Sequence, residues 1–396
     1  MVRESKELLR DKDNFLRDLS KTFQESGIQE NSLLNEMPDG YHVTRNKVGD
    51  ILHDFLEGIC GYDMSRILHH LVIKTEKVSL DTLNFKLRTF DYYSNNLRNE
   101  VPHISREHLK SLHLRTSGSE MLTLVRILGV VIGNLVDQYN PAWKLYLLLR
   151  RILDLILAPI IQPQCSVILE QLICEHHELF LELFPNEHLR PKFHFAVHYP
   201  GMLPLVGPLS HLWCMRLEAK HRDVTTVADS TESRKNIAYT VALRQQLLFS
   251  DRLLRGHGLK DSLEMPVVPS CKVTDLTDYE SFSTKIPCDR DYFVPSWIEF
   301  NGIKYQLGMC VVTGSNDLSE PQFGIIQNIL VDDRETVYLV CKLLDIVRFD
   351  VHIHGFEVTV DDDWCCVEIK KLFTPHPVII ATLPSGRCIV TLKYAL

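Results

Sequence analysis

Leu253-Leu254-Arg255-Gly256-His257-Gly258 is the stretch on which the fold reading turns. Before it, apolar residues recur at every third or fourth position; after it they run in short β-rich segments. Gly256, Gly258, Pro266 and Pro269 punctuate the change, and residues 256–294 read as a linker. Downstream, β-rich runs occupy 304–313, 322–331, 336–344, 355–360, 364–369, 378–383 and 388–394. Turn signals separate them, among them Gly314-Ser315-Asn316-Asp317 and Pro384-Ser385-Gly386. So many short strands within 295–396 predict a small, barrel-like all-β domain.

Working back from Gly256, the pattern is helical. A last helix spans 236–254, and four more are expected at 106–114, 119–138, 142–161 and 165–184. Pro141, Pro159, Pro163 and Pro185 punctuate them. Residues 105–185 are therefore expected to form a helical bundle. Further upstream, Ile51, Leu52, Phe55, Leu56 and Ile59 mark a helix that Gly58 and Gly61 should end. Residues 1–48 read as an irregular segment with short helices. The fold class is α+β.

Composition narrows the function. The chain has 396 residues, 45% hydrophobic and 24% charged, which excludes a disordered or fibrous protein. The formal charge of −8 is carried wholly from Glu264 onward, by 11 basic and 19 acidic residues. A neutral body with an acidic C-terminal third is not a strong nonspecific nucleic-acid binder, so any DNA contact must come from a local patch. Eleven cysteines without a Cys-x-x-Cys pair read as free thiols in a reducing compartment. Met1 to Arg10 has no apolar signal core, so secretion is not expected. Arg126 interrupts the apolar stretch 121–136, and Arg150, Arg151 and Asp154 interrupt 145–161. Neither offers about 18–20 clean apolar residues, so both read as buried helices and not as membrane spans.

Three constellations carry chemistry. In Gly49-Asp50-Ile51-Leu52-His53-Asp54-Phe55-Leu56-Glu57-Gly58, the polar residues Asp50, His53, Asp54 and Glu57 fall on one helical face. Carboxylate and imidazole donors suit zinc, manganese or magnesium; a solvated helix face is the plainer reading. In Pro191-Lys192-Phe193-His194-Phe195-Ala196-Val197-His198, the pair His194 and His198 has usable spacing for zinc. Two hydrogen-bonded core histidines would look the same. In Trp213-Cys214-Met215-Arg216-Leu217-Glu218-Ala219-Lys220-His221-Arg222, Glu218 stands beside a basic cluster continued by Arg234 and Lys235. A carboxylate among such cations suits a metal next to a phosphate backbone, and equally a surface helix with a Glu218–Arg222 pair.

Together these strings resemble the C-terminal half of a CACTA/EnSpm-type DDE transposase, as found in animal transposon-derived proteins. They run Asp50-x-x-His53-Asp54 with Glu57-Gly58, then Pro191-Lys192-x-His194-Phe195-x-x-His198-Tyr199-Pro200, then Gly207-Pro208-Leu209, Trp213-x-Met215-Arg216-x-Glu218-x-Lys220-His221 and Lys235-Asn236. The resemblance covers about residues 10–255. It implies part of an RNase H-like core with a large all-helical insertion, over 49–255. It implies strand cleavage and transfer by two Mg²⁺ or Mn²⁺ ions on three carboxylates, with Glu218 as the third catalytic carboxylate. His194 and His198 match a zinc-binding pair in a related recombinase, so Asp50, His53, His194 and His198 are expected to lie close together and to hold structural zinc. Arg216, Lys220, Arg222, Arg234 and Lys235 are the expected DNA contacts. The implied partner is DNA at transposon ends, with a homo-oligomer as a further possibility, and the implied compartment is the nucleus, or else the cytoplasm.

The departure from the family is large. Its first two catalytic aspartates lie upstream of the region matched, and Asp11, Asp13 and Asp18 sit in a polar helical stretch. The expectation is a truncated or decayed chain that does not transfer strands alone. The alternatives are a non-catalytic domesticated interaction module and a zinc-dependent small-molecule enzyme built on Asp50, His53, His194 and His198.

Overall fold

The computed structural model describes residues 3–396 except 5–8, 38–39, 233–234, 257, 259–260, 277–278, 287–289 and 317–319, with Lys285 as backbone only. The protein is α+β: helices dominate up to Leu254 and strands follow. It divides into two compact units, 1–61 with 148–214, and 62–147 with 215–396. The stretch 105–185 is therefore not one bundle, because the division falls between Leu147 and Leu148.

The first unit is helical. Asp11 caps the helix Lys12–Asp18 by accepting from Asn14 N at 2.7 Å. The helices Cys165–Leu183, Pro191–Ala196 and Tyr199–Val206 follow in this unit. Pro191 opens its helix at a position that needs no N–H donor. Phe193 stacks into this core at 4.9 Å from Phe180, and Tyr199 meets Phe55 edge to face at 5.0 Å. Each buried ring contributes about 1.5–3 kcal/mol of transfer free energy.

The segment after Gly49 departs from expectation. Leu52–Ile59 is a π-helix, with the Cys60 N–H reaching back five residues to Phe55 O. The helix does not stop at Gly58 or Gly61 but runs on as Cys60–His69. Gly58 serves a different purpose: a Cβ there would lie 2.9 Å from His53 O and 3.1 Å from Lys192 Cγ. Gly49 likewise leaves room for the Tyr199 ring, which a Cβ would approach to 2.3 Å.

In the second unit, Gly118–Ile132 is the most buried helix, opened by a capping box in which Ser117 N donates to Glu120 Oε2 at 2.7 Å. Gly118–Leu135 is long and apolar enough to cross a membrane by composition, but most of it is buried inside the protein. By contrast the helices Met215–Asp229 and Ile237–Leu254 bury none of their residues.

The strands form two sheets. Leu263–Glu264, Trp297–Phe300 and Ile303–Gln306 make a three-stranded one. The larger has the order Ile379–Thr382, Cys388–Thr391, Gly355–Glu368, Val337–Asp350, Pro321–Val331, Asp291–Phe293 and Ser270–Lys272, with Cys310–Ser315 also paired to Pro321–Val331. Among the described residues no closed barrel forms; Val378 makes a single bridge to Cys310 in place of a full ladder. Residues 256–294, read as a linker, supply three of these strands. Those strands are two or three residues long, too short to show a period of two. Two expected strands, 355–360 and 364–369, are one long strand. Its adjacent Cys365 and Cys366 point to opposite faces, each packing on a different core cluster. The loop joining Val337–Asp350 to Gly355–Glu368 is tied to helical residues of the same unit: Trp143 Nε1 donates to His352 O at 2.9 Å, and His352 Nε2 donates to Gly133 O at 2.8 Å.

Candidate functional site

Asp50, His53 and Cys214 are brought together in the first unit. The Cys214 backbone N–H donates to Asp50 Oδ1 at 2.9 Å, and its thiol donates to Asp50 Oδ2 at 2.9 Å. His53 Nδ1 donates to the same Oδ2 and lies 3.5 Å from Cys214 Sγ. The three ligand-type atoms lie within 4.8 Å of one another, the one such cluster of three or more among the described residues. Asp50 and Cys214 are half-buried and His53 is exposed. Burial on its own would raise the Asp50 carboxyl. The hydrogen bonds from Cys214 and His53 outweigh it and hold that group below its ordinary value. Asp50, His53 and Cys214 thus form a candidate metal-binding triad.

Asp54 does not join this cluster, although its N–H donates to Asp50 O at 2.8 Å and its Oδ2 accepts from Asp50 N at 3.3 Å. It is buried instead, accepting from Lys192 Nζ at 3.0 Å and from Tyr199 OH at 3.1 Å. Burial, and then the Asp54 charge, push the Tyr199 hydroxyl upward, so it stays protonated and donates. Glu57 is exposed, 4.0 Å from His53 Nε2. The strings Asp50-x-x-His53-Asp54 and Pro191-Lys192…Tyr199 therefore do meet, but through Asp54.

His194 and His198 form a separate pair. His198 Nδ1 donates to Glu4 Oε1 at 2.6 Å, and the two Nε2 atoms lie 3.4 Å apart. Two imidazoles on one tetrahedral ion, with bonds of about 2.0–2.1 Å, would have their nitrogens about 3.3–3.4 Å apart. A carboxylate behind a histidine is the usual support for such a ligand. Among the described residues the one group of three or more ligand-type side chains within 4.8 Å of one another does not include His194 or His198. Burial, then His198, lowers the His194 imidazole.

Glu218 lies in the first turn of Met215–Asp229, exposed and paired with His221 Nδ1 at 3.0 Å. The expected Glu218–Arg222 pair is replaced by this one. Arg216, Lys220, Arg222 and Lys235 are exposed, Lys220 pairs with Asp223 at 2.8 Å, and Arg234 lies outside the described residues. No cluster of three carboxylates forms among the described residues.

The sequence reading passed over Cys214 as a ligand, and also His176 and His177. These two are fully buried, with His177 Nε2 donating to Phe193 O at 2.9 Å. Cys214 stood inside the quoted Trp213-x-Met215 string, where only its burial-neutral position argued for it. A scan against protein-family models and a search of curated proteins both find no match to this chain.

Proposed function

We propose that this chain is a transposon-derived protein, descended from the C-terminal half of a DDE transposase, whose helical body is braced by zinc and whose own catalytic centre is incomplete. The observation that carries the reading is the meeting of Asp50-x-x-His53 with Cys214, inside the Trp213-x-Met215-Arg216-x-Glu218 string. Two of the strings that make up the resemblance are thus partners in one site.

The donor set selects the metal. Thiolate, imidazole and carboxylate together fit zinc, whereas Mg²⁺ and Mn²⁺ prefer several oxygen donors. Bound zinc would supply cross-linking of two segments 164 residues apart. Asp50 orients His53 and Cys214 by accepting from both, and the Cys214 backbone N–H fixes the carboxylate. His194 and His198, supported by Glu4, are a second two-donor position for the same class of ion. The residues around Glu218 do not fit a two-metal Mg²⁺ or Mn²⁺ centre, so no cleavage step is assigned to it. On this reading residues 49–255 descend from the insertion and the end of an RNase H-like core, the ancestral partner is DNA, and the compartment is the nucleus.

The test is metal analysis and a nicking assay on purified 1–396. Stoichiometric zinc, lost in Cys214→Ser and Asp50→Asn, is expected, with no Mg²⁺- or Mn²⁺-dependent nicking of DNA. Robust nicking abolished by Glu218→Gln would overturn the incomplete-centre reading. Zinc retained in both ligand variants would overturn the brace.

A further inference from the structure

Cys341 of the strand Val337–Asp350 and Cys365 of Gly355–Glu368 stand directly opposite each other in an antiparallel ladder. Opposed residues in such a ladder have Cα atoms about 4.5 or 5.5 Å apart, inside the span of about 4.4–6.8 Å that a disulfide bridges. Both side chains point to one face, Cys341 within a core cluster and Cys365 packed against it. The two sulfurs are not joined. Toward the loop at 351–354 the ladder is broken: Lys342 faces Trp364, but the next pair is Leu344 with Val360.

The neighbouring thiols do not compete for these partners. Cys366 points to the other face and packs on a different cluster, as successive residues of a strand must. Cys310 stands opposite Ile325 and belongs to a third cluster. Access differs within the pair: Cys341 is fully buried and Cys365 half-buried. The hydrogen bond with Cys365, and then burial, hold the Cys341 thiol well above its ordinary value, so it stays protonated. Cys365 is therefore the one of the two that a small oxidant meets first.

We propose that Cys341 and Cys365 are a peroxide-sensitive dithiol whose oxidation to a disulfide locks the hairpin 337–368. The Cys365 sulfur attacks one oxygen of hydrogen peroxide, the O–O bond breaks, and a sulfenic acid and water form. The Cys341 sulfur then attacks the sulfenic sulfur. The S–S bond forms, the S–O bond breaks, and the departing hydroxide leaves as water with the Cys341 proton. Two thiols give up two electrons, and one peroxide is reduced to two waters. The disulfide closes a loop over the break in the ladder, which removes freedom from the unfolded chain and register slip from the folded one. This dithiol lies in the second unit and is independent of the zinc reading, whose triad lies in the first.

The test treats the full reduced chain with hydrogen peroxide, blocks the remaining thiols with iodoacetamide, and maps tryptic peptides without reductant. Trypsin cuts after Lys342 and Arg348, so the two sulfurs fall on separate peptides. A linked pair lighter than its parts by two hydrogen atoms is expected, in a chain that runs as a monomer on a non-reducing gel, and absent after dithiothreitol. Cys365→Ser should abolish the link and Cys366→Ser should leave it, which separates the two adjacent sulfurs. Oxidised wild type should melt about 5 °C or more above the reduced chain, and oxidised Cys365→Ser should show no such rise. The wild-type map needs no variant to fold. No linked peptide in wild type, a link that persists in Cys365→Ser, a link found only between two copies, or an unchanged melting temperature in the linked protein overturns the proposal.

Discussion

Cys214 grips Asp50 twice, with its backbone N–H on one carboxylate oxygen and its thiol on the other, both at 2.9 Å. A contact of this kind across 164 residues needs a reason beyond packing. A thiol and a carboxylate that already share one proton, with an imidazole 3.5 Å from the sulfur, are a preorganised ligand set.

Replacing Cys214 by Ser should therefore act on metal binding more than on folding. The hydroxyl can still donate to Asp50, so the helical body keeps its hydrogen bond. Zinc affinity, measured by competition with a chromogenic chelator, should fall at least about tenfold, as oxygen replaces the soft sulfur donor. Unchanged affinity would mean that the three groups are a hydrogen-bond cluster alone.

Lys192→Met tests the other link between the strings. Asp54 is buried, and Lys192 supplies the opposite charge at 3.0 Å while its stem packs at Gly58. Methionine keeps the stem and removes the charge. Tyr199 would still donate, so the expected loss is about 1–3 kcal/mol in urea unfolding, the range for a buried polar group that loses one partner. Pairing it with Asp54→Asn should give a non-additive cycle. Additivity would show that the ion pair carries no coupling.

Much of this was legible from the residues, and the rest was hidden for physical reasons. The helices from 106 to 184 announce themselves by periodicity and proline, and the strands from 322 onward by β-rich runs. The π-helix does not, because its i to i+5 bonds leave the apolar spacing of Ile51, Leu52, Phe55 and Ile59 close to that of an α-helix. Asp54, and not Asp50 or His53, bonds Lys192 and Tyr199, a choice of partner that the spacing alone does not reveal. Cys214 was invisible as a ligand because its partners lie 161 and 164 residues away. The strand pairings at 263–264, 270–272 and 291–293 were missed because segments this short carry no pattern of their own.

Gly129→Ala should destabilise the second unit. Gly129 sits where a Cβ would lie 2.2 Å from the carbonyl oxygen of Ile353, a backbone atom that cannot swing aside. Its N–H donates to Tyr146 OH at 2.9 Å. The loop carrying His352 and Ile353 would have to lift from the helix, straining the Trp143 to His352 hydrogen bond. A loss of about 1–3 kcal/mol is expected, the usual cost of overpacking, with a change in tryptophan fluorescence. A variant as stable as wild type would show that the loop is free to move.

His177 gives the stability of the first unit a definite pH dependence. Burial, and then His176, push its imidazole down to about 3, against an unfolded value of about 6.5. The folded form therefore stays neutral where the unfolded chain takes up a proton. The sign follows: this contribution is fully present above about pH 6.5 and is lost progressively as the pH falls toward 3. The slope from this group approaches about 1.4 kcal/mol per pH unit in that window. His177→Gln, whose amide can still donate to Phe193 O, should be less stable at pH 7.5 yet lose stability more slowly between pH 6 and pH 4. The measurement is urea unfolding at matched ionic strength across that range. Parallel curves for wild type and variant would mean that His177 takes up its proton in the folded protein as readily as in the unfolded chain.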